Sequence, residues 1–133
     1  MHLLVKGALD LGLSLTQKQI EQFHSYHQML TEWNQRINLT SIIEPNEVQV
    51  KHFVDSLTAT MALPSILSKG GRFIDIGSGG GFPGIPIKLL WPNIHLTLVE
   101  SVVKKTSFLS HLTTLLKLND VEVSYAREEL LAH

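Results

Sequence analysis

The segment Asp75-Ile76-Gly77-Ser78-Gly79-Gly80-Gly81-Phe82-Pro83-Gly84 carries the strongest chemical signal in the chain. Glycines at this density permit a tight turn and let backbone N–H groups approach a ligand that any Cβ would hold off. The loop leads into an expected helix N-terminus, whose partial positive charge suits an anionic group. Glu100 follows Gly77 at close to the ~20-residue offset at which an acid meets ribose hydroxyls in nucleotide-binding folds. A carboxylate there accepts two hydroxyl hydrogen bonds and repels a 2′-phosphate. Adenosine with a free ribose is favoured over NADP.

Two cofactor classes fit such a loop. Gly79-x-Gly81-x-x-Gly84 matches the dinucleotide spacing, but it begins three residues beyond the expected strand end and encloses Pro83. The alternative Asp-x-Gly-x-Gly-x-Gly starts from an acid, Asp75, in the last turn of the strand. A pyrophosphate gains nothing from a carboxylate beside it. A cofactor with an amino group and a sulfonium gains from the offset of both charges, so S-adenosylmethionine is the better fit and NAD the alternative.

Other groups admit plainer readings. His52, Asp55 and Ser56 fall on one helix face, either docking that helix by hydrogen bonds or standing beside the glycine loop. His24 and His27 have no third ligand at metal-binding spacing. Lys104 and Lys105, with Arg36, Lys51 and Lys88, could touch RNA phosphates or simply form solvated faces.

These residues need elements to position them. From residue 1 to about 68 the pattern is helical, with Gly7 and Gly12 the glycines of that half. Met1–Leu13 reads as a short amphipathic helix. Thr16 and Gln19 stand in capping-box register, and Ile20, Phe23, His27, Leu30 and Trp33 follow on one face. Asn38-Leu39-Thr40 breaks that helix, and Pro45 suits the first turn of the next, which continues through Val48, Phe53 and Leu57 to Pro64. Beyond Lys69, Phe73–Ile76 reads as a buried strand. A helix from Pro83 to Trp91, a strand His95–Glu100, a helix through Phe108, Leu109 and Leu112 ending near Asn119, and a strand Val121–Tyr125 complete the order β-α-β-α-β. That order implies parallel strands with helical crossovers, an α/β fold.

Composition bounds the rest. With 133 residues, 44% of them hydrophobic, the chain suits one core. A balance of 11 Lys+Arg against 12 Asp+Glu gives no global positive field to gather nucleic acid. Cysteine is absent, which excludes disulfides, thiolate metal sites and a cysteine nucleophile. No apolar run approaches the ~18 residues a membrane span needs. The expectation is a soluble, cytoplasmic protein without membrane partners.

DIGSGGGFPGIP, followed by LTLVES-x-x-KK-x-x-FL and preceded by NLTSI and KHFVDSL, resembles the bacterial 16S ribosomal RNA 7-methylguanosine methyltransferases (RsmG, also called GidB). The resemblance runs from about Leu30 to Glu129. It implies a Rossmann-like class I methyltransferase fold with an N-terminal helical extension. Residues 1–68 would be the extension and 69–133 the first half of the methyltransferase domain. It implies methyl transfer from S-adenosylmethionine to N7 of a guanine, with 16S ribosomal RNA or the small ribosomal subunit as partner. By position, Gly77 and Phe82 would contact the cofactor with Asp75 and Gly79, Glu100 would hold the ribose, and Arg127 and Glu128 would lie near the adenine. Here Ala126-Arg127 reverses the family's usual order of Arg and small residue.

The resemblance also implies strand order 3-2-1 and a C-terminally truncated member that lacks the fourth strand. Phe73–Ile76 would then be a sheet edge, open to pairing with a second copy. Guanine N7 carries a free lone pair, so the reaction requires no general base, and the chain offers no nucleophile–base pair. Catalysis would rest on alignment and exclusion of water.

Overall fold

A computed structural model describes residues 1–62 and 69–126. Helices α1 (His2–Asp10) and α2 (Gln17–Asn34) come first. A helical segment follows, formed by α3 (Pro45–Glu47), a π-helical run (Val48–Val54), α4 (Asp55–Thr58) and a 3-10 turn (Ala59–Ala62). Then come β1 (Arg72–Ile76), α5 (Gly84–Leu90), β2 (His95–Glu100), α6 (Val103–Leu115) and β3 (Val121–Tyr125).

The helix starts follow from their caps. Thr16 Oγ1 accepts the Gln19 N–H at 3.1 Å and Gln19 Oε1 accepts the Thr16 N–H at 2.8 Å, the expected capping box. Glu44 accepts the N–H groups of Asn46 and Glu47, ahead of Pro45 in the first turn. Two helix ends differ from expectation. Helix α2 stops at Asn34, whose Oδ1 accepts the N–H groups of both Leu39 and Thr40 and so turns the chain before Asn38. Helix α6 ends at Leu115, and the first left-handed residue beyond it is Lys117, at φ 55°, ahead of Asn119.

The strands are parallel in the order β1-β2-β3, with Asp75 level with Leu98 and Leu98 level with Val123. On one face Leu96 and Leu98 are fully buried in a cluster with Ile85 and Leu89 of α5, Phe108, Leu109 and Leu112 of α6, and Phe23, Tyr26 and Leu30 of α2. Leu4, Val48, Phe53 and Leu57 belong to the same cluster, so the helices of the first half share the core of the sheet. Side-chain amides complete the docking. Gln19 Nε2 donates to Leu89 O and Gln22 Nε2 to Leu116 O, satisfying carbonyls at the C-terminal ends of α5 and α6.

The other face is open. Ile74 is 63% exposed and Ile76 60%, so β1 is not the buried strand its composition suggests. Parallel strands lose both sides to the interior only where helices cover both faces. Among the described residues, helices cover one.

Candidate functional site

Loop Gly77–Pro83 leaves the end of β1 and turns over the end of β2. Gly77 N–H donates to Val99 O at 2.8 Å, extending the β1–β2 ladder by one bond. Gly77, Gly79 and Gly81 then take φ of 75°, 55° and 96°, a left-handed path that side chains resist. The amides of Gly81 and Phe82 return to Ser78 O, and Ser78 Oγ donates to Asp75 O. A Cβ at Gly77 would meet nothing within 4 Å, and one at Gly79 would meet only a backbone oxygen at that limit. Beside these two glycines lies open space.

Two carboxylates hold the loop from the sheet. Glu100, 3% exposed, accepts the Gly79 N–H with Oε1 and the Val102 N–H with Oε2, both at 2.8 Å. Asp75, 5% exposed, accepts the Gly84 N–H at 2.9 Å with Oδ2, which anchors the start of α5. Burial raises the Asp75 carboxyl above its ordinary value; the Gly84 and Ser78 hydrogen bonds oppose that shift and the charge of Glu100 adds to it. In this arrangement both acids face the loop's own backbone, and each keeps lone pairs for further donors.

The helical half reaches the same loop. Phe82, expected from the motif, stacks on two rings: Tyr26 at 5.5 Å and 14°, and His52 at 4.1 Å and 8°. His52 Nε2 is 2.8 Å from Thr40 Oγ1, and burial lowers the imidazole pKa against a smaller opposing effect of Asp55. The expected face of His52, Asp55 and Ser56 thus divides. His52 packs on the loop, Ser56 turns back to His52 O at 2.6 Å, and Asp55 is exposed.

Tyr26 is the site residue the helical pattern passed over. It is fully buried, and its hydroxyl donates to Gly80 O at 2.6 Å. The signal was present: Phe23, Tyr26 and Leu30 stand at steps of three and four, and a buried tyrosine needs a partner for its O–H. His27, placed on that face instead, is half-buried.

The basic candidates separate. Lys88 is 1% exposed and donates to Pro92 O and Ile94 O, so it braces the α5–β2 turn and is removed from any phosphate surface. Arg36 and Lys51 are exposed beside Glu32 and Glu47. Arg127 and Glu128 lie outside the described residues. Among the described residues no helix is long and apolar enough to cross a membrane.

Comparison with known proteins decides the family. The family model GidB, rRNA small subunit methyltransferase G, matches residues 19–132. The chain belongs to this family. It is 49% identical over 131 residues to Ribosomal RNA small subunit methyltransferase G of Roseiflexus castenholzii, covering 98% of this chain and 55% of that protein. The protein of the same name from Geotalea uraniireducens is 47% identical over 130 residues, 98% of this chain and 58% of the relative. That of Bacillus subtilis is 42% identical over 123 residues, 92% and 51%. The chain therefore spans about half the length of these relatives. An α/β fold with a parallel three-stranded sheet accords with the class I methyltransferase architecture.

Proposed function

We propose that this chain carries the cofactor site of an S-adenosylmethionine-dependent methyltransferase acting on N7 of a guanine in 16S ribosomal RNA. The observation that carries the reading is the open space beside Gly77 and Gly79, on a loop whose amide at Gly79 is held by Glu100. An adenosyl group needs backbone it can approach closely and an acid at the end of the second strand, and both are within one loop of each other.

When bound, the cofactor supplies an activated methyl group. Gly77 and Gly79 leave room for it, and Phe82 gives an apolar wall. Glu100 accepts from the ribose hydroxyls with its remaining lone pairs, and Asp75 offsets positive charge through space. Arg127 and Glu128 are assigned to the adenine end by family position. The partner is 16S RNA or the small ribosomal subunit, which places the protein in the cytoplasm. The exposed Ile74 and Ile76 also support self-association through the β1 edge.

Isothermal titration tests the cofactor reading. S-adenosylhomocysteine should bind with one-to-one stoichiometry, and NAD should give no heat. Heat from NAD alone would replace the reading with a dinucleotide-binding one.

A further inference from the structure

We infer that Tyr26 of α2 is a positioning residue for the cofactor loop, acting through its hydroxyl on the Gly80 carbonyl. The inference rests on the cofactor reading of that loop and adds a residue from the helical half. Asp75 and Glu100 grip the loop from the sheet by its N–H groups. Tyr26 grips the opposite polarity, a carbonyl, from helix α2.

The geometry is specific. The Tyr26 O–H reaches Gly80 O at 2.6 Å in a buried setting, where a neutral hydrogen bond is shielded from competing water. An added Cβ at Gly81 would come within 2.6 Å of the same hydroxyl oxygen, so the ring seats directly against the loop backbone. Phe82 continues the contact, with its ring stacked on Tyr26 and then on His52. Gly80 lies between Gly79 and Gly81, both at positive φ. Fixing its carbonyl orientation fixes the Gly80–Gly81 peptide plane, whose N–H donates to Ser78 O at 2.8 Å inside the loop.

The ring alone explains packing; the hydroxyl explains orientation. Tyr26→Phe separates them, because it keeps the ring and removes only the donor. Calorimetry should show S-adenosylhomocysteine binding about fivefold weaker, the size expected for one neutral hydrogen bond. Hydrogen exchange should quicken in the loop peptide from Gly77 to Ile85 and stay at wild-type rates in α6 and β2. Two results would overturn the inference: loop exchange equal to wild type, or exchange that quickens uniformly across the protein, which a merely structural role would give. A wild-type chain that binds no S-adenosylhomocysteine defeats the cofactor reading instead. The exchange comparison then still decides whether Tyr26 orients the loop.

Discussion

The Asp75 carboxylate and the Gly84 backbone N–H meet at 2.9 Å under the glycine loop, so the last acid of β1 fixes the first residue of α5. The acid that could offset cofactor charge is therefore also the group that joins strand to helix. Helix α5 has no side-chain cap at Pro83, and this bond takes that place.

Asp75→Asn should raise stability and lower affinity together. The folded-state carboxyl is held above its unfolded value, chiefly by burial. A raised carboxyl contributes stability that is complete below the unfolded value and lost as pH rises through the folded one. At pH 7 the ionised form thus opposes folding, and asparagine removes that charge while its Oδ1 still accepts from Gly84. Thermal melts should place the Tm of the variant above wild type at pH 7, with the gap closing as pH falls below the ordinary carboxylate range. If the charge also acts on the sulfonium, the variant should lose more affinity for S-adenosylmethionine than for S-adenosylhomocysteine. Equal losses for the two would show that the Asp75 charge does not act on the sulfonium.

Glu100→Gln is expected to cost about 1–3 kcal/mol, the range for leaving one buried donor unsatisfied. Both carboxylate oxygens receive backbone N–H groups, from Gly79 and from Val102. An amide offers one oxygen, so one of these N–H groups would face an NH2. Urea unfolding measures the loss, and a variant as stable as wild type would show that the loop adopts another path.

Gly77→Ala and Gly84→Ala should fail in different ways. A Cβ at Gly84 would stand 2.8 Å from Leu98 Cδ2 and 2.9 Å from Asp75 Oδ2, against the sheet. Overpacking of that kind costs about 1–3 kcal/mol. Gly77 faces open space, so alanine there bears mainly the cost of its positive φ, roughly 1–2 kcal/mol, and places its methyl where the adenosyl group is proposed to lie. Per unit of stability lost in urea, Gly77→Ala should lose more S-adenosylhomocysteine affinity than Gly84→Ala. The reverse order would move the ligand away from Gly77.

Much of this site was legible because its signals are local. The loop, both acids and all three strands follow from runs of a few residues, and Thr16 with Gln19 announced the start of α2. What escaped depends on distant partners. Tyr26 and Gly80 are 54 positions apart, and nothing near Tyr26 names the carbonyl it serves. Lys88 reads as a surface lysine until the turn at Pro92 folds its carbonyls back onto the ammonium. Ile74 and Ile76 read as buried because apolar composition marks a strand face that requires cover, whereas exposure depends on what lies over it.

That open face gives the last expectation. Ile74 and Ile76 project from the edge strand, level with Thr97 and Val99 of β2, with more than half of each isoleucine exposed. Edge strands elsewhere are protected by charges, proline or bulges, and on its open face β1 has Arg72 alone, at its start. The 133-residue chain should therefore self-associate through this surface as concentration rises. A charge on the same strand face should prevent it without touching the loop, because Ile74 points away from the cluster that holds Leu96 and Leu98. Sedimentation velocity on wild type and on Ile74→Lys is the measurement: the wild type should sediment faster with concentration, and the variant should stay monomeric. A wild-type chain that remains monomeric throughout would show that the exposed isoleucines do not pair copies.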